Sequence, residues 1–271
     1  MKPLVLLAAV GLAAAAVSWA PERVCGQTIA SQSQSHSQAT VSPSLQPSQA
    51  TEAQSLSRGL VDEWKFNDNG GGIARDSVGK NNALLEPGDS WVQGIQGSAV
   101  HMNGGPESCV GLPPGIVSTL TDFTICTWVR VDINATWNRI FDFGSGTNVY
   151  MFLSPDSASN TVRFAITLAS NPGEQIIENG APLSTGVWHH VAVTLSHSLG
   201  TLYIDGKIAG VNPGMTVRPC DLGKSTPNYI GRSQWGQDPT LLGAVEDFRI
   251  YNRALTAAEV TALARPTATS P

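Results

Sequence analysis

From residue 60 to residue 251 the sequence is broken into short strand-like runs, each ending at Gly, Pro, Asn or Asp. Residues 123–129 form a strongly apolar run, and residues 161–167 alternate apolar and polar positions with the period of a half-buried strand. With 27 Gly and 17 Pro residues in the chain, few stretches remain in which a long helix could form. About a dozen strands at this spacing predict an all-β sandwich of two sheets.

The C-terminal part of this pattern contains a hairpin, a last strand and a helix. Asp205 and Gly206 separate two strand-like runs, and an Asp-Gly pair tolerates the positive φ angles of a two-residue turn. After a last strand that ends near residue 251, Thr256 and Glu259 form a capping box, in which both side chains bind free N–H groups. We expect one short C-terminal helix behind an otherwise all-β domain.

The N-terminal segment has the pattern of an export signal. Met1 and Lys2 precede an unbroken stretch of apolar and small residues at 4–17, which is shorter than the ~20 residues of a membrane span. Small residues at the end of the segment indicate cleavage after Gly26, with cleavage after Ala20 as the alternative. We therefore expect a mature chain without a membrane span, secreted or located at the cell surface or in the periplasm.

Composition sets the boundaries of the folded part. Residues 27–58 hold nine Ser and seven Gln among 32 residues and no aromatic residue, so they cannot bury enough apolar surface to fold. The sequence thus predicts a signal peptide at 1–26, a disordered Ser/Gln-rich linker at 27–58, one domain at 60–264 and a short tail at 265–271.

The charge of the domain excludes one class of partner. Residues 60–264 hold 12 Lys and Arg against 19 Asp and Glu, and no basic run interrupts that acidic balance. A phosphate backbone would be repelled by such a surface, so we expect no nucleic-acid partner.

Three cysteines lie in the domain, namely Cys109, Cys126 and Cys220, while Cys25 falls in the signal segment. An exported chain meets an oxidising compartment, so we expect one disulfide and one free thiol. Cys126 lies in an apolar strand run, where a cysteine behaves as a small buried hydrophobic residue. Cys109 and Cys220 both lie near turn-rich strand ends and form the predicted pair. No two cysteines have the C-x-x-C spacing of a zinc site.

The domain also resembles a known family. Six motifs follow one another in the order typical of a laminin-G-like jelly-roll module of the concanavalin A-like lectin/glucanase superfamily: LVDEWKF (60–66), DFTICTWV (122–129), WHHVAV (188–193), LYIDG (202–206), YIGR (229–232) and VEDFRIYNRAL (245–255). The resemblance covers nearly all of residues 60–264 and implies a two-sheet antiparallel jelly-roll sandwich of the concanavalin A-like type. Residues 136–144 and 231–235 are further similar to the modules appended to secreted bacterial glycoside hydrolases.

The superfamily includes enzymes, but the sequence lacks their catalytic pattern. Its glucanases carry carboxylates two to four residues apart on one face of a strand, where they serve as acid/base and nucleophile. Here the nearest acidic residues are adjacent pairs, Asp62 with Glu63 and Glu246 with Asp247, whose side chains point to opposite faces of a strand. We expect no catalytic residues and no enzymatic activity.

The resemblance also implies a structural calcium ion. Many members of the superfamily hold one where the first and last strands meet, bound by backbone carbonyls near the opening turn and by an acidic side chain of the final strand. The matching positions here are Asn67, Asp68 and Glu246, which offer the hard oxygen ligands that calcium prefers. The alternative is that Glu246 only binds neighbouring backbone N–H groups.

Two tryptophans have polar rather than apolar neighbours. Trp137 precedes Arg139, and Trp235 follows Arg232 and Gln234. A flat indole face can pack against the C–H groups of a sugar ring, while guanidinium and amide groups bind its hydroxyl groups. These five residues are the predicted ligand site, and the alternative is that both tryptophans only cap the edge of the sandwich. Three other tryptophans lie in apolar strand patterns and are predicted as core: Trp64, Trp128 and Trp188.

These observations favour an exported, monomeric, non-catalytic module that binds carbohydrate, as polysaccharide or as glycan. A structural or adhesion module that contacts protein or matrix at the cell surface is the second hypothesis, and a diverged glycoside hydrolase is the third. A glycan array distinguishes the first two hypotheses, and hydrolysis of β-glucan or arabinoxylan tests the third.

Overall fold

The computed structural model describes residues 47–266, which form two packed antiparallel β-sheets with one helix near each end of this range. The sixteen strands of the described range are β1 (Leu60–Trp64), β2 (Ile73–Ala74), β3 (Ala83–Leu85), β4 (Asp89–Gln93), β5 (Ser98–Asn103), β6 (Val110–Leu112), β7 (Phe123–Ile133), β8 (Phe141–Gly144), β9 (Tyr150–Ser154), β10 (Arg163–Thr167), β11 (Gln175–Glu178), β12 (Trp188–Ser196), β13 (Leu199–Ile204), β14 (Lys207–Asn212), β15 (Asn228–Ile230) and β16 (Leu242–Tyr251). The helices are α1 (Pro47–Ser57) and α2 (Ala257–Leu263), and short 3-10 helices lie at Asn171–Gly173 and Pro219–Leu222. The predicted signal peptide, linker residues 27–46 and tail residues 267–271 lie outside the described residues.

The strands are arranged in two sheets that we call sheet A and sheet B. Sheet A has the order β14-β13-β12-β7-β16-β5-β4, and sheet B has the order β11-β10-β9-β8-β15-β6-β3-β2. On one side of β16 lies β7, and on the other side β5 pairs with residues 242–245 while β1 pairs with residues 248–251. A bulge at Asp247, whose φ is 55°, separates these two partners. The first and last strands therefore meet inside sheet A.

Side-chain alternation fills the space between the sheets. Phe123 and Ile125 of β7 point inward, and Phe248 of β16 contacts Phe141 of β8 across the core with 6.0 Å between ring centroids. The cluster between the sheets is formed almost entirely by such alternate positions, as expected for strands with one face buried. The prediction of an all-β jelly-roll sandwich with a short C-terminal helix is confirmed.

The tryptophans predicted as core differ in position. Trp64 is fully buried between the sheets. Trp128 is only 4% exposed, but it lies on the opposite face of sheet A, edge-on to His190 with 5.4 Å between ring centroids. Its position in β7 is out of phase with the inward residues, which explains the difference. Trp188 is half-buried, with the Arg130 guanidinium 5.6 Å from the centre of its ring.

Helix α2 covers the outer face of sheet A. Its first turn has the predicted capping box, because Thr256 Oγ1 accepts the Glu259 N–H (3.3 Å) and the Glu259 carboxylate accepts the Thr256 N–H (2.8 Å). Beneath it lies an apolar group that we call the helix-covered cluster: Cys126, Ala192, Tyr203, Tyr251, Leu255, Val260 and Leu263. The helix thus adds a second, smaller core to one side of the sandwich.

Helix α1 differs from the sequence prediction, which places this stretch in a disordered linker. Ser55 Oγ donates to the Glu259 carboxylate (2.5 Å), the Arg253 guanidinium donates to the Ser55 carbonyl (2.8 Å), and Leu56 packs against the helix-covered cluster. Tertiary contacts of this kind stabilise short helices that composition alone would not predict. The linker prediction is wrong for this stretch. In the described range, neither helix is long and apolar enough to cross a bilayer.

The predicted hairpin is present between β13 and β14. Its turn residues Asp205 and Gly206 have φ angles of 51° and 74°, as a two-residue turn of this kind requires. The Asp205 carboxylate accepts the His190 N–H (3.0 Å) and bonds His189 Nδ1 (2.9 Å), while His189 Nε2 bonds Ser184 Oγ (2.7 Å). Ser184, His189 and Asp205 thus form a hydrogen-bonded series in which the Asp205 side chain is 48% exposed. These bonds tie the start of β12 to the hairpin.

The predicted disulfide is absent. Cys109 and Cys220 are both free thiols, as is Cys126. Cys109 lies buried at the start of β6, where burial raises the pKa of its thiol to about 11. Cys220 lies in the 3-10 helix, where its N–H donates to the carbonyl of Leu120 (2.9 Å). Proximity to strand ends did not fix which strand ends meet, so the pairing prediction is wrong.

Candidate functional site

Aromatic side chains cluster on the outer face of sheet B. Tyr150 and Phe152 of β9 alternate with inward residues and point away from the core. Trp137 and Trp235 reach them from two loops: Trp137 lies edge-on to Phe152 (6.4 Å between centroids), and Trp235 lies edge-on to Tyr150 (4.8 Å). An aromatic cluster therefore forms on the side of sheet B that faces away from the core.

An open pocket of about 200 Å³ lies on this cluster. We call it the aromatic pocket, and it is lined by Trp137, Arg139, Phe152, Asn171, Glu174, Trp235 and Asp238. Its walls combine three aromatic rings with two carboxylates, an amide and a guanidinium. A few polar groups among apolar walls are typical of small-molecule sites.

The loop before β8 fixes Trp137. A turn closes where the Asn138 N–H donates to the Ala135 carbonyl (2.9 Å), and within it Trp137 has a φ of 72°. The Trp137 N–H donates to the Asp156 carbonyl (2.9 Å), and Ser154 Oγ donates to the Asn138 carbonyl (2.8 Å). Left-handed backbone at a bulky residue is strained and persists only where its surroundings enforce it. Backbone hydrogen bonds on both sides of Trp137 therefore fix the position of its indole.

The loop between β15 and β16 fixes Trp235 in a similar way. The Trp235 N–H donates to Ser233 Oγ (3.1 Å), and the Asp238 N–H donates to the Trp235 carbonyl (3.1 Å). The loop closes where the Leu241 N–H donates to the Gly231 carbonyl (2.8 Å), and Gly231 has the left-handed φ of 86° that favours glycine. Both tryptophans of the pocket thus stand on hydrogen-bonded turns.

Arg139 forms the floor of the aromatic pocket. Only 2% of this residue is exposed, and its guanidinium carbon lies 4.1 Å from the centre of the Phe152 ring. The guanidinium donates to Asp142 (3.3 Å), to Asp238 (3.1 Å) and to the Trp137 carbonyl (2.5 Å). A buried arginine with three acceptors and an aromatic face satisfies its charge without water.

Asp142 is the most deeply buried acid of the site. It is fully buried on β8, where its carboxylate accepts hydrogen bonds from Arg139 and from the Gln234 N–H (3.1 Å). Burial raises the pKa of Asp142 above its usual range, and the Arg139 charge opposes this shift. The charges beneath the pocket floor are therefore largely compensated within the protein.

A second ion-pair network lines the opposite wall. Glu174 accepts a hydrogen bond from the Tyr150 hydroxyl (2.6 Å) and forms an ion pair with Arg163. Arg163 also pairs with Glu178 (3.0 Å). Burial and the hydrogen bond to Glu174 both raise the pKa of the Tyr150 hydroxyl, which therefore stays a donor. Asn171, from the loop before β11, adds an exposed amide to this wall.

The structure brings three of the five predicted ligand residues into one pocket: Trp137, Arg139 and Trp235. Arg232 lies in a neighbouring pocket of about 210 Å³, which we call the flanking pocket. The flanking pocket is lined by Gly104, Pro106, Arg232, Trp235, Gly236, Asp238, Pro239 and Thr240. Trp235 and Asp238 are therefore shared by both pockets.

Gln234 has a different place from the one predicted. Its side chain accepts the Gly146 N–H (3.1 Å) and donates to the Pro227 carbonyl (2.8 Å), and it does not line the aromatic pocket. Gln234 therefore ties together the two loops that flank this edge of sheet B. The reason is that Gln234 and Trp235 are neighbours in an irregular loop, so their side chains point in different directions.

Four pocket residues were not predicted from the sequence: Phe152, Asn171, Glu174 and Asp238. Phe152 had a detectable signal, because it is the outward aromatic residue of a strand whose alternate positions are core. Asn171 and Glu174 come from one segment before β11 and Asp238 from the loop of Trp235, and the meeting of these segments depends on the pairing of β8 with β15 and β9.

The predicted calcium ligands are only partly together. Asn67 and Glu246 line one polar pocket, where the first and last strands meet. The Glu246 carboxylate accepts the N–H groups of Ile95 (2.5 Å) and Gln96 (2.9 Å), and Asn67 Oδ1 accepts the N–H of Ser98 (2.8 Å). These contacts match the alternative in which Glu246 holds the turn between β4 and β5.

Asp68, the third predicted calcium ligand, is engaged elsewhere. Its carboxylate accepts the Arg75 N–H (3.1 Å) and pairs with the Arg75 guanidinium (3.0 Å). Lys65, Asp247 and Arg249 also line the polar pocket of Glu246, where the two cationic side chains offset the two carboxylates and disfavour a bound cation. Across residues 47–266, no group of three or more His, Cys, Asp or Glu side chains is arranged to hold a metal. The donor set as it stands does not fit a calcium ion.

Solved structures with similar folds come from glycan-acting enzymes and a toxin. Domain 4 of AbnA, a GH43 extracellular arabinanase from Geobacillus stearothermophilus solved with arabinotriose, is 23% identical with a TM-score of 0.65, over 76% of this chain and 98% of that one. The binding domain of Paraclostridial Mosquitocidal Protein 1 is 19% identical with a TM-score of 0.58, over 77% of this chain and 52% of the other. Trypanosoma rangeli sialidase is 18% identical with a TM-score of 0.57, over 77% of this chain and 33% of its own.

At these identities the likeness shows the fold alone, and the match spans about half of the toxin chain and a third of the sialidase. No curated protein sequence matches the chain significantly. A family model, that of the concanavalin A-like lectin/glucanases superfamily, matches residues 103–261, which is more than half of the sequence. The chain therefore belongs to the concanavalin A-like lectin/glucanases superfamily.

Proposed function

We propose that this protein is an exported, non-catalytic carbohydrate-binding module whose ligand occupies the aromatic pocket. One observation carries the proposal: Trp137, Phe152 and Trp235 meet Glu174 and Asp238 in one open pocket on the outer face of sheet B. A sugar ring needs aromatic faces beside hydrogen-bond acceptors, because its C–H groups are apolar and its hydroxyl groups are donors.

The polar groups of the pocket are held in place by the protein itself. Glu174 is fixed by the Tyr150 hydroxyl (2.6 Å) and by Arg163, and Asp238 is fixed by Arg139 (3.1 Å). Groups that are ordered before binding reduce the entropy lost on association. The pocket is therefore suited to accepting hydroxyl groups in a fixed orientation.

The same contacts favour binding over hydrolysis. A glycosidase uses one carboxyl group as proton donor and a second as nucleophile or base. Here Glu174 accepts hydrogen bonds from Tyr150 and Arg163, and Asp238 accepts them from Arg139 and from Ser233 (2.8 Å). Both carboxylates have the role of acceptors that hold and orient a ligand, and we assign no general acid to the pocket.

The setting also supports a glycan ligand. The arabinanase domain with the same fold was solved with arabinotriose, which gives one neutral oligosaccharide as a first probe. The export pattern at 1–26 would deliver this domain to a compartment where polysaccharides are accessible. The ligand class nevertheless rests on the pocket of this chain.

The test measures binding by titration calorimetry, using arabinotriose and the glycans that the wild type binds on an array. We expect Trp235→Ala and Trp137→Ala each to weaken binding at least tenfold, since a buried tryptophan face contributes ~2 kcal/mol to a binding contact. Trp188→Ala is the matched control, because it removes a half-buried tryptophan from sheet A. It should bind as the wild type does, and all variants should melt cooperatively.

Two outcomes contradict the proposal. Failure of the folded wild type to bind any glycan would reject carbohydrate binding and favour a module that contacts protein or matrix. Release of reducing sugars from arabinan, arabinoxylan or β-glucan, if abolished by Glu174→Gln, would reject the non-catalytic role and favour a diverged hydrolase.

A further inference from the structure

A second depression lies beside the aromatic pocket. Trp235 and Asp238 line both the aromatic pocket and the flanking pocket. These two residues form a ridge, and the two depressions lie on either side of it. Arg232 and Thr240 lie beyond the ridge, whereas Arg139 and Glu174 lie before it. A ligand that stacks on Trp235 can therefore extend in either direction.

The sizes of the pockets indicate that they act together. Their volumes are about 200 and 210 Å³, and each falls below the ~300 Å³ at which ligand pockets commonly begin. Only the two together reach that size. A ligand confined to the aromatic pocket would leave the exposed side of Trp235 uncovered, while a longer ligand would cover both sides of the ridge.

Hydrogen bonds hold Trp235 and Asp238, the two residues of the ridge, in place. The Asp238 N–H donates to the Trp235 carbonyl (3.1 Å), and Asp238 accepts Ser233 Oγ (2.8 Å). Beyond the ridge, Thr240 Oγ1 donates to the Gly105 carbonyl (3.0 Å), which joins this loop to the end of β5. The relative position of the two depressions is thus fixed by hydrogen bonds within the protein.

The charges of the aromatic pocket select against acidic sugars. Each of its two nearby guanidinium groups is already paired with two carboxylates: Arg139 with Asp142 and Asp238, and Arg163 with Glu174 and Glu178. Of the side chains that line the pocket itself, Glu174 and Asp238 are acids and Arg139 is a base, which leaves an acidic balance at this surface. A uronic or sialic acid carboxylate placed here would meet like charge at short range.

We propose that the ligand is a neutral oligosaccharide of at least two units that crosses Trp235, with one unit in the aromatic pocket and another in the flanking pocket. This inference rests on the proposed function and adds the length and charge of the ligand. Arg232 serves the unit in the flanking pocket. Its guanidinium lies 5.6 Å from the centre of the Tyr229 ring, which leaves N–H donors for sugar hydroxyl groups.

The experiment measures how affinity depends on chain length. The probes are oligosaccharides of one to four units of arabinose, xylose, glucose or mannose, titrated against the full chain. For the series that binds, we expect at least a tenfold gain in affinity from the monosaccharide to the trisaccharide. Arg232→Ala should remove most of that gain while leaving monosaccharide affinity within twofold, whereas Trp235→Ala should weaken every length.

A matched charge comparison completes the test. Xylotriose and a xylotriose that carries one glucuronic acid have the same backbone, and we expect the acidic one to bind several-fold more weakly when xylose is the series bound. If the protein binds a different sugar series, the comparison uses the neutral trisaccharide of that series and its carboxylated derivative.

Each result has a distinct meaning. Equal affinity for one and three units, or no effect of Arg232→Ala in a folded protein, overturns the two-pocket ligand and leaves the proposed function standing. Tighter binding of the acidic probe overturns its neutral character. No binding in any neutral series, together with no glycan bound on the array, overturns the proposed function as well.

Discussion

The outer face of sheet A is covered by the chain's own helix α2, whereas the outer face of sheet B ends in aromatic side chains that line an open pocket. Both faces carry a small aromatic or apolar cluster outside the main core. On sheet A the cluster is closed by Val260 and Leu263 of the helix. On sheet B the corresponding positions hold Tyr150 and Phe152, which are buried under Trp137 and Trp235 from two loops, and the partly buried indoles line the open pocket.

This difference shows how one sandwich can use the outer face of sheet A for stability and the outer face of sheet B for binding. Sheet A gains stability by burying apolar surface under a helix, at roughly 25 cal/mol per Å² of area removed from water. Sheet B buries Tyr150 and Phe152 under two partly buried tryptophans and surrounds them with ion pairs, centred on Arg139 and Arg163. Substitutions that remove an apolar contact from sheet A or an ion pair from sheet B should therefore lower the unfolding free energy by different amounts.

The largest expected effect is at the ion pairs of sheet B. Arg139→Met leaves the fully buried Asp142 without its guanidinium partner, and breaking such a pair from one side costs about 3–5 kcal/mol of unfolding free energy. Arg139→Met with Asp142→Asn should recover most of the loss, because no uncompensated charge remains buried. Urea unfolding measures both variants.

The control for this pair is Arg163→Met. Glu178, one of the two partners of Arg163, has a 30% exposed side chain and can be solvated by water, so this loss should be the smaller one. Equal losses for Arg139→Met and for its double variant would mean that packing, and not charge, stabilises the floor of the aromatic pocket.

The second prediction concerns a buried histidine on sheet A. Burial lowers the pKa of His190 to about 3, well below the value of about 6.5 for a free histidine. The unfolded chain therefore binds more protons than the folded chain between these values, and stability falls as the pH drops below 6.5. The loss attributed to His190 should be about 2 kcal/mol between pH 7 and pH 5.

His190→Gln should remove this loss, and the measurement is the pH dependence of the difference in unfolding free energy between the two proteins. The difference is needed because burial raises the pKa values of Asp62 and Asp89 to about 6, which favours the folded state at low pH and acts in the opposite direction. His197→Gln, at a side chain that is 90% exposed, is the control. A parallel pH profile for wild type and His190→Gln would contradict the assignment.

The sequence was most informative where neighbours in the chain decide the structure. The capping box of Thr256 and Glu259 and the turn at Asp205 and Gly206 were predicted correctly, because each depends on residues at most three apart. Strand alternation likewise fixed the core face of β7, and Trp128 is buried as predicted, although it lies on the face of sheet A that points away from the other sheet.

The sequence was least informative where distant segments meet. Trp137 and Trp235 could be singled out by their polar neighbours, among them Asp238, but Glu174 carries no local signal that distinguishes it from other surface acids. The pairing of Cys109 with Cys220 and the disorder of the stretch before β1 failed for the same reason. Both depend on which chain segments lie side by side.

A third prediction concerns Glu246, which holds a turn against the outer face of sheet A. Glu246→Gln replaces one of two carboxylate oxygens with an N–H donor, which would face the N–H of Ile95 or Gln96. Because hydrogen bonds to a charged acceptor contribute about 1.5–3 kcal/mol, we expect a loss of about 1.5 kcal/mol. Thermal unfolding measures it.

The same variant tests the calcium prediction. Bound calcium at Glu246 requires that a chelator lower the melting temperature of the wild type, that added calcium restore it, and that Glu246→Gln respond to neither. A wild type that ignores chelator, together with a destabilised Glu246→Gln, would show that Glu246 acts through its two backbone hydrogen bonds alone.

The smallest expected effect comes from removing the N-terminal part of the helical cover of sheet A. A chain that starts at Pro47 should be as stable as the full mature chain, since residues 27–46 have the Ser/Gln-rich composition of a spacer. A chain that starts at Gly59 should lose about 1 kcal/mol, because Leu56 no longer packs against the helix-covered cluster. Arg253 also loses the Ser55 and Arg58 carbonyls and Glu259 loses the Ser55 hydroxyl, but water can replace these partners at the surface. The loss stays small because Arg253 keeps its two hydrogen bonds to Glu259 (2.8 and 2.9 Å).

Leu56→Ala in the chain from Pro47 separates the apolar contact from the loss of the helix. Equal stability of both truncated chains would mean that α2 alone covers sheet A, while a loss of several kcal/mol would make α1 an integral part of the fold.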